Sequence, residues 1–248
     1  DAADLDGVPD FLKDAMAEAA ASRGKEGQFA VTLSRSIYEP FTTYSTRRDL
    51  REKAWRGFTA RGEKTNADLV TRTLALRAEK AKLLGYDSYA ALKLDDTMAK
   101  TPQAVLGLLE PVWEKARARA AEDQRELERL AAATGANDAF AAWDWRHYAD
   151  KLRAERYAFD DAELKPYLQL DRIIEAAFDV ATRLFGVTFE EKKGVAAWHA
   201  DVRVFEVKNA DGTHRATFLG DYFNRASKRS GAWMSSLQSG YRLGEGSR

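Results

Sequence analysis

Thr101-Pro102 opens a run of roughly 30 residues in which Val105, Leu109, Val112, Ala116, Leu127 and Leu130 keep one stripe apolar. Thr supplies the N-cap oxygen and Pro suits the first helical position, where no backbone N–H is needed. The outer face, Glu114 through Arg129, is dense in alternating charge and reads as solvated surface. Thr134-Gly135-Ala136-Asn137 ends the run. A stripe this long commits the middle of the chain to an amphipathic helix, and its neighbours follow suit.

Pro9 to Arg23 carries Phe11, Leu12, Ala15, Met16 and Ala19 at helical spacing, with Gly24 as the stop. Residues 28–33 are a strand or an extended connector. Arg47 to Arg61 returns to helix. Leu69, Leu76 and Leu83 recur every seven residues before Gly85, and Asp87 is expected to cap a short helix reaching Leu94. Trp143 to Tyr157 and Leu170 to Phe185 are further helices, the second closed by Gly186. There the period changes. Val202 to Val207 alternates, Asn209-Ala-Asp-Gly212 supplies turn residues, and Thr213 to Tyr222 returns as the second arm of a hairpin. Gly231 to Met234 is a candidate third strand. The expected architecture is mainly α: a multi-helix body over 1–186 and a small antiparallel β-unit over 187–248.

Composition narrows the function classes. The 248 residues hold 39 Lys plus Arg against 39 Asp plus Glu, so no surplus of positive charge awaits a phosphate backbone. Nucleic acid is therefore not an expected partner, even for the basic cluster Arg225, Lys228 and Arg229. The absence of Cys removes disulfides, thiol nucleophiles and Cys-type metal sites. No window offers the apolar length of a membrane-spanning helix, and the chain is expected in the cytoplasm. It opens Asp1-Ala2-Ala3-Asp4 without an initiator Met and closes in loop chemistry, so either a processed chain or an internal piece of a longer protein is expected.

Reactive groups are sparse. His147, His199 and His214 are far apart in sequence, and none stands at the spacing of a His-Glu-x-x-His zinc helix. The pairs Asp95-Asp96, Asp160-Asp161 and Glu190-Glu191 are adjacent in sequence, so on a helix they point in different directions. Gly-x-Ser-x-Gly and phosphate-loop motifs are missing. One segment differs in kind: Gly220-Asp-Tyr-Phe-Asn-Arg-Ala-Ser-Lys-Arg-Ser-Gly-Ala-Trp233 compresses aromatics, a basic cluster and a Gly-Ala-Trp step into a short stretch. It reads either as a groove where Arg and Lys meet an anion and Gly231 admits another backbone, or as a surface turn with a core Trp.

That segment resembles Gly-Asp-(Tyr/Phe)-Phe-x-Arg-x-Ser-Lys-x-x-Gly-Ala-Trp of the thimet-oligopeptidase family of zinc metallopeptidases. Trp143-Asp-Trp-Arg-x-Tyr148, Lys151-Leu-Arg153, Leu164-Lys-Pro-Tyr-Leu-Gln-Leu-Asp171, Phe185-Gly186, Trp198-His199-x-Asp201-Val-Arg-Val204 and Glu206-Val207 stand in family order. Upstream, Tyr38-Glu-Pro-Phe41, Arg51-Glu-Lys-Ala54 and Leu83-Leu-Gly-Tyr86-x-Ser-Tyr89-Ala90 also look like family blocks. The wording is most similar to the family's bacterial peptidyl-dipeptidase branch, with oligopeptidase A as its sibling.

The resemblance implies part of a zincin-like oligopeptidase fold that cleaves short peptides, the peptidyl-dipeptidases releasing C-terminal dipeptides. It also implies zinc in the full-length enzyme, held by a His-Glu-x-x-His helix that these residues do not contain. No catalytic or metal residue is carried over, no zinc is expected in this chain, and the chain alone is expected to be inactive. A wall of the substrate channel is the role that can be transferred: Gly231, Ala232 and Trp233, with Tyr222, Phe223, Arg225 and Lys228 beside them. Packing against the zinc helix is the competing role for the same residues, and a non-catalytic helical module that binds a peptide or protein is the alternative for the whole chain. Apolar surface left uncovered around Phe218 to Trp233 is expected to favour self-association.

Overall fold

The structure, a computed structural model, describes residues 4–136, 138–158, 161–225, 227–229, 231–243 and 246–247. It divides into two compact units, Asp1–Phe159 and Asp160–Arg248. Its fold is mainly α, with a small antiparallel sheet toward the C-terminal end.

The first unit contains α1 (Asp10–Ala21), α2 (Arg35–Tyr44), α3 (Arg48–Thr59), α4 (Glu63–Leu83), α5 (Tyr89–Leu94), α6 (Pro102–Ala133) and α7 (Trp145–Tyr157). The long helix is α6. The Thr101 hydroxyl accepts from the Ala104 N–H at 3.2 Å, and Pro102 fills the first turn. At the other end Gly135 adopts φ +86°, the left-handed conformation that favours glycine after a helix. Only the C-terminal part of the stripe is covered: Leu127 and Ala131 are buried with Tyr148 of α7, while Leu109 and Val112 are exposed. Leu69, Leu76 and Leu83 of α4 are exposed as well.

Two local expectations change. Ser88, not Asp87, caps α5, its hydroxyl accepting from the Ala91 N–H at 3.1 Å. Asp87 stands one residue too early, because a cap serves the N–H three positions ahead. Residues 28–33 form an extended connector rather than a strand, tied down where the Ala30 N–H donates to the Met16 carbonyl at 2.9 Å.

One core of this unit joins α1, α2 and α3 through Leu12, Met16, Ile37, Tyr38, Phe41 and Ala54. Tyr38 stacks on Phe58, with ring centroids 3.9 Å apart. The block Trp143 to Tyr148 is anchored by charge. The buried Asp144 carboxylate accepts from Arg48 Nη2 and Arg51 Nη2, each at 2.9 Å, and from the Ala141 N–H at 3.0 Å. Arg51 spends its remaining donors on the Ser45 carbonyl at 2.8 Å, the Trp143 carbonyl at 3.2 Å and the Thr46 carbonyl at 3.3 Å. These partners satisfy a guanidinium and a carboxylate withdrawn from water, as burial of charge requires.

The second unit begins with α8 (Asp161–Leu164), a single 3-10 turn (Lys165–Tyr167) and α9 (Leu170–Phe185). Gly186 ends α9 at φ +64°, its N–H donating to the Thr182 carbonyl at 2.8 Å. Strands β1 (Thr188–Glu191), β2 (Arg203–Lys208) and β3 (His214–Gly220) form an antiparallel sheet in that order, and β4 (Arg242–Leu243) pairs with β5 (Gly246–Ser247). The hairpin falls where the alternation places it. The Asn209 N–H donates to the Thr213 carbonyl at 2.9 Å, and Gly212 takes φ +81°.

The third strand is β1, not Gly231 to Met234. Thr188 pairs with Lys208 and Phe189 with Val207, so the strand that follows α9 lies antiparallel to β2. Gly231 sits at φ +111°, outside the strand region, and residues 232–236 carry no regular structure. Phe189 anchors β1 to α9: Phe178 stacks on it at 3.9 Å and meets Phe205 and Phe218 edge-on at 4.9 and 5.9 Å.

Candidate functional site

The sheet has two chemically distinct faces. One carries Phe189, Phe205 and Phe218 against Phe178. On the other, Glu190 stands directly opposite Glu206, a pairing of like charges that needs cations. Lys192 Nζ supplies one, 2.6 Å from Glu190 and 2.9 Å from Glu206, and Lys208 contacts both as well. His214 Nδ1 lies 3.1 Å from Glu206. Hydrogen bonds from Lys192 and then His214 hold the Glu206 carboxyl down at about 2. Every charge on this face is thereby matched by a neighbour.

The two edges of the sheet also differ. Acidic Glu190 and Glu191 line the β1 edge and are engaged by Lys192 and Arg203. The β3 edge is exposed from His214 to Leu219, and Ala216-Thr217-Phe218-Leu219 carries no charge. Among the described residues no further strand pairs with it.

After β3 the chain turns around Asp221. Its carboxylate accepts from the Trp198 indole Nε1–H at 2.9 Å and from Arg225. Lys228 Nζ donates to the Asp221 carbonyl at 2.9 Å and makes an ion contact of the same length with Oδ1. That ion contact lacks hydrogen-bond geometry, so it counts as charge pairing alone. The Lys228 ammonium beside it, followed by the bonds from Trp198 and Arg225, keeps the Asp221 carboxyl far below the usual carboxylate range. Tyr222 folds its ring over Gly220, where a Cβ would lie 2.5 Å from Tyr222 Cε2. A side chain at Gly220 would displace the Tyr222 ring from this position.

Of the channel-wall residues read from sequence, Arg225 and Lys228 come together on Asp221, and Tyr222 lies beside them on Gly220. Phe223 is exposed, with its carbonyl accepting from Lys228. Gly231, Ala232 and Trp233 take no part in the Asp221 cluster, and Trp233 is 70 % exposed. Sequence reasoning missed Asp221 and Trp198. Asp221 precedes Arg225 by four residues and could have been paired with it, but Trp198 is 23 residues away and is found only in three dimensions.

The histidines do not assemble a metal site. His147 is buried, and its Nδ1–H donates to the Thr43 carbonyl at 2.9 Å. His199 Nδ1 accepts from the Asp201 N–H, and His214 is engaged by Glu206. Among the described residues no three His, Asp or Glu side chains converge. Zinc ligation needs such a set, and the described residues do not bring one together. Among the described residues no helix is long and apolar enough to cross a membrane.

Residues 41–247 match a family of peptidases, and the chain belongs to Peptidase family M3. It is 39 % identical to a dipeptidyl carboxypeptidase of Salmonella typhimurium over 223 residues, covering 88 % of this chain and 33 % of that protein. It is 35 % identical to a dipeptidyl carboxypeptidase of Escherichia coli over 94 % of this chain and 35 % of that protein. Oligopeptidase A of Escherichia coli is 33 % identical over 100 % of this chain and 37 % of its own length. The chain thus spans about a third of the length of these curated relatives.

Proposed function

We infer that this chain supplies the helical body and one channel wall of a zinc-dependent peptidase, cytoplasmic in location, that hydrolyses short peptides and releases C-terminal dipeptides. The family match across residues 41–247 carries this reading. The names of the relatives, dipeptidyl carboxypeptidase and oligopeptidase A, favour exopeptidase or oligopeptide chemistry over digestion of folded protein. In this reading the segment from Tyr222 to Trp233, with the uncharged edge of β3, borders the path of an extended peptide, which adds main-chain hydrogen bonds to an open strand. Arg225 and Lys228 then act by shaping the turn around Asp221, whose carboxylate both engage.

Zinc ligands come from residues outside these 248, which contain no His-Glu-x-x-His. The purified chain is accordingly silent by itself. Incubated with zinc and a blocked tripeptide, it is expected to release no dipeptide and to retain no stoichiometric metal after gel filtration. Zinc-dependent dipeptide release by this chain alone would overturn the reading.

A further inference from the structure

We infer that Asp221 is the positioning residue of the channel wall, acting through Arg225 and Lys228 on residues 229–233 and held in place itself by Trp198. The assignment rests on the peptidase reading, in which Tyr222 to Trp233 borders the peptide path, and adds the group that sets that border. Asp221 is the single acid between Asp211 and Glu245, a stretch that also carries Arg215, Arg225, Lys228, Arg229 and Arg242. No other carboxylate of the segment is there to gather its cations.

One side chain reaches three elements of the wall. Asp221 Oδ2 accepts from the Trp198 indole N–H at 2.9 Å and from Arg225, and Lys228 Nζ stands 2.9 Å from Oδ1. Lys228 also donates to the Asp221 and Phe223 carbonyls, so the backbone of the turn closes on the same ammonium. Gly231 follows Lys228 by three residues, at most about 10 Å of chain. A shift of the turn is therefore passed to the Gly-Ala-Trp step with little slack.

Two features separate this cluster from one that serves stability alone. Two cations surround a single carboxylate, and among the described residues Arg225 Nη1 is enclosed without a hydrogen-bond partner. A donor left bare costs stability, and such groups are kept where a site needs the geometry. Trp198 is the second feature. It comes from the loop between β1 and β2 and joins one block read from sequence, Trp198 to Val204, to another, Gly220 to Trp233. Its N–H fixes the orientation of the carboxylate, as a supporting residue behind a binding wall must.

The test uses the enzyme that carries these residues together with its zinc ligands, and a blocked tripeptide as substrate. Asp221→Ala should raise KM about tenfold, with kcat within about twofold and zinc content unchanged, because a border that aligns the peptide acts on ground state and transition state alike. Trp198→Phe, which removes the indole N–H and keeps an aromatic ring, should raise KM about threefold. Added to Asp221→Ala it should change nothing more, since it acts through the carboxylate. An unchanged KM in Asp221→Ala, a loss confined to kcat, or effects of the two replacements that multiply would each overturn the assignment. If Asp221→Ala loses its fold or its zinc, Trp198→Phe decides, and an unchanged KM there overturns it. An unaltered enzyme that releases no dipeptide with zinc bound fails the peptidase reading, and this assignment with it.

Discussion

Arg51 and Asp144 form an ion pair of 2.9 Å in which each side chain is only 3 % exposed. The pair joins α3 to the start of α7 across 93 residues of sequence. Arg48 completes the carboxylate from the solvent side, and its guanidinium also stands 5.5 Å from the centroid of the Trp143 ring.

Removing one member leaves the other buried and unpaired, which costs more than the pair itself contributes. Asp144→Ala should lower the stability of the first unit by about 3–5 kcal/mol. Arg48→Ala, at a partly exposed position, should cost clearly less. Urea unfolding followed by circular dichroism measures both, and equal losses would contradict the ranking.

His147 governs the response to mild acid. Burial, aided by the charges of Arg51 and Lys151, pushes its imidazole down to about 4, despite the bond to Thr43. The unfolded chain takes up this proton near pH 6.5 and the folded chain near 4, so the stabilising contribution is complete above about 6.5. It should be lost progressively as pH falls to about 4, by about 3 kcal/mol in total. Replacing the residue (His147→Asn) should flatten stability across that window. Asp144 behaves otherwise: burial raises its carboxyl, but the bonds from Arg48, Arg51 and Ala141 hold it below the usual range. Its contribution persists through that window and is lost only in stronger acid.

Around Asp221 the expected signal is local order rather than global stability. Asp221→Ala releases Arg225, Lys228 and the Trp198 indole together. Trypsin should then cut after Arg225 and Lys228 faster than in the unaltered chain, with little change in cleavage within the first unit. A spectral shift of Trp198 fluorescence should accompany it. Unchanged cleavage at both sites would show that the turn holds its shape without the carboxylate.

Phe178 is the shared partner of three strand residues, one from each strand of the sheet. Phe178→Ala should therefore destabilise the second unit by about 2–3 kcal/mol. Phe178→Leu should recover part of that loss. Hydrogen exchange of the β2 amides is a suitable measure, because β2 is the central strand.

Much of this architecture is written in local pattern. The Thr101-Pro102 start, the left-handed Gly186 after α9 and the hairpin turn at Gly212 depend on residues within a few positions of one another. Short-range chemistry of that kind is readable from sequence because its partners are adjacent. The family blocks were likewise legible as ordered words, and they led to Peptidase family M3.

Other features were decided by distance in space. Periodicity identified the stripe on α6 but could not say that its C-terminal part, at Leu127 and Ala131, would be the part buried with Tyr148 of α7. Alternation marked β2 and β3, yet the third strand is β1, whose Phe189 stacks on Phe178. Arg225 and Lys228 meet on the Asp221 carboxylate, to which Trp198 also donates, a gathering that their sequence positions do not announce. By itself the sequence determined helix content, strand alternation, neutral charge and family. Tertiary structure alone decided which charges are spent on one another and which edge stays open, because both depend on residues far apart in the chain being brought within bonding distance.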